Sequence, residues 1–256
     1  MKLSLLGVMG SVPGGSSDLG KNTTCLVIED EAKELIIDAG TGILKHFNST
    51  TASEHHVLFT HFHLDHIIGL PYVTQLYDKN HSFHFYGAQL NNHNTASIIP
   101  IFFVKPFLPI NVNQIKSKIN HVILSEKKHY DIAGFKVEGL IVDHPGKCMV
   151  YSVKKHGKKI TVLTDLPIEH HNRNELIQFS KDSDILYIDG YITNNELFNY
   201  QEYGHSSIEN AIDIFKETKS KKLLIGHHKN NRLYNSIKQY ETDVIFIGKE
   251  DTTYYA

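Results

Sequence analysis

Short apolar runs bounded by polar and glycine-containing segments recur through the first half of the chain, and residues 82–86 alternate polar and apolar side chains. This pattern predicts β-strands. The candidate strands cover residues 2–8, 24–28, 34–38, 56–60 and 82–86. Short apolar runs predict further strands at 129–132, 135–142, 149–153, 159–163, 185–188, 222–225 and 244–247. Because strands followed by mixed β/α units occur roughly twice, we expect one α/β (α+β) domain, residues 1–256, in which two mixed sheets pack face to face with helices on the outer faces.

Helical spacing is clearest over residues 207–218, where apolar residues recur three and four positions apart and Ser206 or Ser207 can serve as the N-cap. Helices are also predicted at 67–77, with Pro71 in the first turns, and near 232–240.

Residues 91–115 are the least regular part of the sequence. The run IIPIFFVKPFLPINV places three prolines among bulky apolar side chains, so it predicts neither a regular helix nor a central strand. An apolar segment of this kind is typical of an interface or a lid. We expect a homodimer interface here, with part of the segment near the active site.

Amino-acid composition limits the classes of function that the chain is expected to have. With 41% hydrophobic and 21% charged residues, the chain is expected to be soluble and globular. Its formal net charge of -2 shows no basic excess, so an extended nucleic-acid footprint is not favoured. Cys25 and Cys148 lie in apolar stretches and are predicted to be buried free thiols.

The first fifteen residues predict a strand and a loop. Their apolar run is short and continues into a Gly/Pro/Ser segment without a signal-peptide cleavage site. Nowhere in the sequence does an apolar stretch approach the length of a membrane span. We therefore expect a cytoplasmic protein without a membrane partner.

The segment Thr60-His61-Phe62-His63-Leu64-Asp65-His66 follows an apolar strand. In extended chain His61, His63 and Asp65 point the same way, and His66 turns with the loop. Burying these groups unpaired is costly, and a cation that prefers nitrogen and oxygen ligands would offset that cost. Other histidines are expected to be solvated at the surface: His55, His56, His170 and His171.

This motif resembles the H-x-H-x-D-H signature of the metallo-β-lactamase superfamily, which implies an αββα sandwich. The superfamily's remaining ligands match His144 in VDHPG, Asp165 in TVLTD and His227 in LLIGHH. The resemblance implies two Zn²⁺ ions, with Mn²⁺ an alternative, and His228 could exchange roles with His227. One metal would be held by His61, His63 and His144, the other by Asp65, His66 and His227, with Asp165 as the bridge.

A second set of motifs is similar to the RNase Z-like phosphodiesterase branch. The segments are GVMGSVPGG…GKNTTCLVIE, SDILYIDGYI and YGHSSIENAIDIFKETKSKKLLIGHH. By this resemblance His205 lies beside the scissile phosphate, Asp189 orients it, and Asp65 orients the nucleophile besides binding metal.

Within the branch, the chain lacks the long Gly/Pro-rich arm with which RNase Z clamps tRNA. The GSVP start, the GLP that follows the first motif and the HPG motif resemble phage anti-Pycsar proteins most closely. This implies hydrolysis of 3′,5′-cyclic nucleotides to linear monophosphates, neutralising an immune signal in a host cytoplasm. Alternatives are an RNase Z-type tRNA 3′-end endonuclease, a thioester or lactone hydrolase, and a non-catalytic nucleotide sponge. Departures at Lys21, Leu64, Lys147 and Lys229 leave the base and ring preference open.

Overall fold

Two mixed seven-stranded sheets make up the framework of the part of the chain that the structure describes. The structure is a computed structural model that describes residues 1–15, 17–169 and 171–256. Strands of the first sheet are β1 (Lys2–Gly7), β2 (Cys25–Asp30), β3 (Lys33–Ile37), β4 (Glu54–Leu58), β5 (Ser82–Ala88), β6 (Lys118–Leu124) and β14 (Thr252–Tyr255). Those of the second are β7 (His129–Ile132), β8 (Phe135–Val142), β9 (Cys148–Lys155), β10 (Lys158–Leu163), β11 (Ile185–Asp189), β12 (Leu223–Gly226) and β13 (Ile245–Ile247).

The two sheets share one pairing pattern. The first has the order β14-β1-β2-β3-β4-β5-β6 and the second β13-β12-β11-β10-β9-β8-β7. In the first sheet the pairings from β14 to β3 are antiparallel and those from β3 to β6 are parallel. In the second, the pairings from β7 to β10 are antiparallel and those from β10 to β13 are parallel. The predicted pair of mixed sheets is confirmed.

Period-two alternation divides the apolar side chains between two cores. Leu26 and Ile28 of β2 point into the core between the sheets, whereas Cys25 and Val27 point to the outer face of the first sheet. Burying that outer face requires a further layer, because a sheet with two apolar faces cannot leave either one in water.

Six helices in the described residues supply the outer layers. They are α1 (Ile43–Phe47), α2 (Leu64–Ile67), α3 (Thr95–Phe102), α4 (Arg173–Ser180), α5 (Leu197–Tyr200) and α6 (Ile208–Thr218). Helices α1 to α3 contribute side chains to the outer core of the first sheet, and α6 packs on β11, β12 and α4. None of these helices has the length and apolar character needed to cross a bilayer.

Two predicted helices are wrong. Residues 67–77 form only the end of α2 and two 3₁₀ turns, Leu70–Tyr72 and Thr74–Tyr77. Pro71 cannot donate a helical hydrogen bond, and a Cβ on Gly69 would lie 2.2 Å from the Gly40 carbonyl oxygen, so the chain must turn tightly here. Residues 232–240 likewise form two 3₁₀ turns, Tyr234–Ser236 and Lys238–Tyr240. There the Ser236 hydroxyl donates to the Leu233 carbonyl (2.6 Å), which competes with helical bonding.

Sequence patterning missed six of the helices and strands in the described residues, namely α1, α3, α4, α5, β6 and β14. Strand β6 joins the sheet edge in parallel with β5, and several of its residues stay exposed. Helix α1 has five residues, and its stability depends on Ile43 and Phe47 packing under the first sheet. Short elements of this kind depend on tertiary contacts more than on local propensity.

Residues 91–115 are more regular than expected. The Asn94 side chain caps α3 by accepting from the amides of Ala96 and Ser97, and the helix tolerates Pro100 near its end. The segment still presents apolar side chains to solvent: Ile101, within α3, is 56% exposed, and Phe107, beyond the helix, is 78% exposed. These side chains line a cavity of about 430 Å³ together with Leu64, Ile68, Pro71, Tyr72, Phe102 and Leu108.

The homodimer through residues 91–115 stays a prediction. We expect light scattering at micromolar concentration to give twice the chain mass of 29.1 kDa. Phe107→Ser should shift the mass towards the monomer, because it removes exposed apolar surface that only a partner could bury. Phe198→Ser is the matched control, since Phe198 is 85% exposed and lies outside the segment. A wild-type chain at 29.1 kDa would contradict the prediction.

Candidate metal centre

Polar side chains gather where strands of both sheets end. Asp38 follows β3, the Thr60–His66 motif follows β4, and His144 follows β8. Asp165 follows β10 and His227 follows β12. Because β3 and β4 are parallel, as are β10 to β12, their carboxyl ends lie at one edge, which is where open α/β sheets place ligands.

The structure brings all seven predicted ligands together, in two groups. Within each group one ligand atom per residue lies within 4.8 Å of those of the other members. The first group is His61, His63 and His144, and the second is Asp65, His66, Asp165 and His227. This division matches the predicted one, although metal binding itself stays a prediction.

Asp165 lies between the two groups. Its carboxylate oxygens are 3.2 Å from His66 Nε2 and 3.3 Å from His227 Nε2 in the second group. They are 3.9 Å from Nε2 of both His61 and His144 in the first. A carboxylate that approaches both sets of imidazoles is placed where a bridging ligand would have to be.

Asp38 supports the second group through hydrogen bonds to His66 and Thr60. It is fully buried and accepts hydrogen bonds from His66 Nδ1 (2.7 Å), the Thr60 amide (2.8 Å) and the Thr60 hydroxyl (2.8 Å). Donation from Nδ1 leaves Nε2 of His66 to face the group. Support of a ligating imidazole by a buried carboxylate is common in metal sites. Sequence reasoning placed Asp38 in a strand and missed this role.

The hydrogen bonds of His61 and His144 in the first group leave one ring nitrogen of each available to a cation. The Thr60 hydroxyl donates to Asp38, so it accepts from His61 Nδ1 (3.1 Å), and His61 Nε2 is then a buried acceptor without a hydrogen-bond partner. His144 Nδ1 donates to the Gly204 carbonyl oxygen (2.9 Å), which leaves its Nε2 for the group. A buried, unpartnered imidazole nitrogen is costly, and the donor set of imidazoles and carboxylates suits a divalent transition metal. The residues present therefore fit the predicted metals.

The pKa values of the histidines are shifted in opposite directions in the two groups. Burial holds the pKa of His61 well below its usual value and lowers that of His144 to about 4, so both offer lone pairs at neutral pH. Burial acts the same way on His227, but the charge of Asp165 and a hydrogen bond with Asp65 outweigh it and raise its pKa to about 9. A cation entering the second group would therefore displace protons, which couples its binding to pH.

Three residues of the centre have left-handed backbone. Asp38 has φ 63°, Asp165 φ 55° and His227 φ 52°, each directly after a strand or one residue later. For non-glycine residues this conformation costs about 1–3 kcal/mol each and is characteristic of functional sites. Here it turns each side chain from the strand direction towards the common edge.

His205 and Asp189 lie beside the centre. His205 Nδ1 donates to Asp189 Oδ2 (2.8 Å), and Asp189 also accepts from the Tyr191 amide (2.8 Å). The His205 ring stacks on Tyr191 with centroids 4.3 Å apart. His205 lines a cavity of about 320 Å³ together with Ser11, His63, Asp65, His144, Pro145, Asp165, Glu202 and Tyr203.

Two further positioning residues were not predicted. The Ser11 amide donates to Asp65 Oδ2 (2.9 Å), and the Ser11 hydroxyl is 2.9 Å from the Tyr191 hydroxyl. Ser11 thus joins the first loop to Asp65 and to the residue on which His205 stacks. The GSVP motif marked this loop, but the contact depends on the folded arrangement of distant segments.

The histidines outside the two ligand groups differ in their burial. His228 lies outside both ligand groups, and its Nε2 bonds to the Gly248 carbonyl oxygen (2.8 Å), so the position in the second group belongs to His227. His55 was expected at the surface, which is wrong: it is fully buried between Phe47 and Phe83. His171 is exposed as predicted, His56 is half-buried, and His170 lies outside the described residues.

Two packed mixed sheets with a histidine–aspartate cluster at their shared edge define a metallo-β-lactamase fold. Residues 33–228 match the "Beta-lactamase superfamily domain", and the chain belongs to that superfamily. It is 29% identical over 166 residues to a ribonuclease Z of Clostridium kluyveri, a match spanning 60% of this chain and 48% of that relative. It is 23% identical to a ribonuclease Z of Pyrococcus horikoshii, over 86% of this chain and 84% of that one.

Among solved structures, the fold is similar to the metallo-beta-lactamase fold protein YhfI from Bacillus subtilis. The TM-score is 0.77 at 16% identity, with 99% of this chain and 98% of that chain covered. The chain spans about half the length of the Clostridium ribonuclease Z, so the activity of that protein does not transfer with the match.

Asp165→Asn tests the metal centre. The substitution keeps the shape of the side chain but removes the charge shared by both groups. It should weaken zinc binding by more than the about 10–100-fold typical of residues that only support a ligand. Elemental analysis and competition with a zinc chelator measure this, and Asp213→Asn on the exposed face of α6 is the control. Wild-type zinc affinity in Asp165→Asn would exclude Asp165 as a ligand.

Proposed function

We propose that this chain is a metal-dependent phosphodiesterase that hydrolyses 3′,5′-cyclic nucleotides to linear nucleoside monophosphates. The proposal rests on one observation: His205, which is hydrogen-bonded to the buried Asp189, lines the same cavity as the candidate metal ligands. Hydrolysis of a phosphodiester needs a group that supplies a hydrogen bond or a proton to the departing alkoxide. Thioester hydrolysis on the same ligand set has less need of His205, because a thiolate can leave without a proton.

His205 is suited to that task. Its Nδ1 is engaged by Asp189, so Nε2 is the nitrogen left for a substrate oxygen. Stacking on Tyr191 fixes the plane of the ring, and Ser11 in turn holds Tyr191. Little reorientation is then required when the leaving oxygen develops charge.

Asp189 supports His205 in two ways. It is fully buried, and its acceptance of the Nδ1 proton selects the tautomer of His205. Its negative charge also stabilises an imidazolium if Nε2 gains a proton. The amide of Tyr191 bonds to its other oxygen and fixes the carboxylate in place.

Metal ions would complete this arrangement. Held by the two groups, divalent cations would lower the pKa of a water molecule and offset charge on the phosphoryl oxygens. Asp65, held by the Ser11 amide at the cavity wall, would accept a hydrogen bond from the attacking water.

The size and charge of the cleft support a small substrate. A second cavity of about 270 Å³ shares His63 and Pro145 with the 320 Å³ cavity, and Phe62, Asn91 and His93 also line it. Together they fall within the usual volume of a small-molecule site, about 300–1,000 Å³. A formal net charge of -2 gives no general attraction for a long polyanion. Neutralising a cyclic-nucleotide immune signal, as anti-Pycsar proteins do, would be the corresponding biological role.

A second candidate is tRNA 3′-end cleavage. The relatives named ribonuclease Z favour it, and one of them aligns over 86% of this chain. It would use the same His205–Asp189 pair but requires a surface that binds RNA.

His205→Ala tests the phosphodiesterase chemistry. It should lower kcat/KM for a cyclic nucleotide by about 10²–10⁴-fold, because the assistance to the leaving group is lost. Zinc content should stay at the wild-type value, since His205 was predicted as a catalytic residue and not as a ligand; a loss of zinc would instead assign His205 to the further cluster that it forms with Asp189 and His227. Asp189→Asn should cause a smaller loss, and His171→Ala, an exposed histidine, should change nothing. An unchanged rate in His205→Ala would rule out the assigned role.

A substrate panel separates the candidate functions. We expect linear monophosphate from cyclic mononucleotides and no cleavage of a tRNA precursor at the same enzyme concentration. Product chromatography distinguishes the outcomes. Preferential tRNA cleavage would support the second candidate, and a thioester or lactone as the best substrate would support the ester-hydrolase alternative. Intact nucleotide released only on denaturation would indicate a non-catalytic sponge.

A further inference from the structure

A second histidine–carboxylate cluster lies at the opposite end of β3 and β4 from the candidate metal centre. Glu34 lies near the start of β3, which ends before Asp38, and His55 lies near the start of β4, which leads to Thr60. Four residues of strand separate the two ends, about 13 Å. His46 of α1 covers the outer face at this point.

We propose that Glu34, His46 and His55 form a binding site for a divalent transition metal, separate from the predicted centre. One ligand atom from each residue lies within 4.8 Å of the other two. His46 Nε2 and Glu34 Oε1 are 3.0 Å apart. Two imidazoles and a carboxylate form a ligand set that zinc accepts, with solvent in the fourth position.

His55 is the residue that requires explanation. It is fully buried, and its Nε2 is bonded to His81 Nδ1 (3.0 Å). Its Nδ1 is buried without a hydrogen-bond partner. An unpartnered polar atom in such a place costs about 1–3 kcal/mol. A cation at the cluster would satisfy Nδ1, while His81 would hold the ring as a supporting partner does in known metal sites.

Protonation states agree with this geometry. Burial, followed by the proximity of His81, lowers the pKa of His55 to about 4, so its imidazole is neutral at physiological pH. Burial tends to raise the pKa of Glu34, but the hydrogen bond from His46 outweighs it and lowers the pKa. A neutral imidazole beside an ionised carboxylate is the form in which these groups bind a cation.

The cluster is accessible. A cavity of about 250 Å³ reaches Glu34 and His46 and is also lined by Glu29, Ser49 and Thr50. Lys45 lines it too, but its ammonium is bound to Glu250 and to Asp251 (2.6 Å). The lysine charge is thus compensated, and a cation can enter from solvent.

A neighbouring arrangement provides the matched comparison. His84 Nε2 is 3.0 Å from Glu54 Oε1, the same distance as in the His46–Glu34 pair. His84 also stacks on His56, but the Glu54 side chain is 59% exposed and the group has no buried, unpartnered nitrogen. The two groups therefore have similar side chains, but of the two only the group of His55 contains a buried nitrogen without a hydrogen-bond partner.

The test compares Glu34→Gln with Glu54→Gln. Both substitutions keep side-chain size, and neither residue belongs to the candidate active centre. The full-length proteins are equilibrated with buffered Zn²⁺, and bound zinc per chain is measured by elemental analysis. Glu34→Gln should hold one equivalent less than wild type, and Glu54→Gln should equal wild type. Equal zinc content in all three proteins would overturn the proposal.

Anomalous scattering at the zinc edge gives a direct measurement on the wild-type protein. Crystals grown with Zn²⁺ should show a peak bounded by Glu34, His46 and His55, at about 2.0–2.2 Å from the ligand atoms. This result does not depend on whether a variant folds or on the proposed activity. Zinc found only at the candidate centre would overturn the proposal.

Discussion

Burial of charge at the strand ends is the constraint on which the rest of the structure depends. Asp38 and Asp165 are almost completely enclosed, and so are His66 and His227. Such groups are tolerated in the interior only when they are paired, hydrogen-bonded or bound to metal. Asp38 is hydrogen-bonded to Thr60 and His66, and these bonds fix the orientation of the loop that carries the first motif.

This constraint links the fold to the site. Each sheet passes from antiparallel to parallel pairing, and the parallel halves bring carboxyl ends to one edge. Left-handed backbone at Asp38, Asp165 and His227 then turns those side chains towards each other. The sheets supply rigidity, since local strain of this kind persists only where its surroundings determine it.

How far the sequence alone predicted the site depended on whether a signal was local. The spacing of His61, His63 and Asp65 is local and identified the first motif. The prediction of His144, Asp165 and His227 came from the resemblance to the superfamily, whose remaining ligands they match in order. The role of Asp38 depends on the parallel pairing of β3 with β4, which no short pattern encodes. The same holds for His55, whose burial results from Phe47 and Phe83 packing around it.

Helices and strands were likewise predicted correctly where their sequence signal is local. Strands β1 to β5 contain short, largely apolar runs and were found, whereas β6 lies at a sheet edge where exposure weakens the pattern. The helix expected over residues 67–77 does not form, although its apolar residues have helical spacing. Pro71 removes a backbone donor, and Gly69 packs against Gly40, so the chain turns instead. Apolar periodicity thus predicts which side chains are buried more reliably than it predicts the backbone that buries them.

Reaction and substrate are determined by different parts of the molecule. The candidate ligands lie at the ends of sheet strands and belong to the framework that the superfamily shares, so they indicate hydrolysis without naming a substrate. Under the proposed function, His205 and Asp189 would restrict the chemistry, because their hydrogen bond would serve a leaving group that takes up a proton. The adjoining cavity is lined by Leu90, His93 and Lys147, from loops outside that framework. Any selection among substrates would therefore arise from these loops, which can change without disturbing the strand ends that carry the candidate ligands.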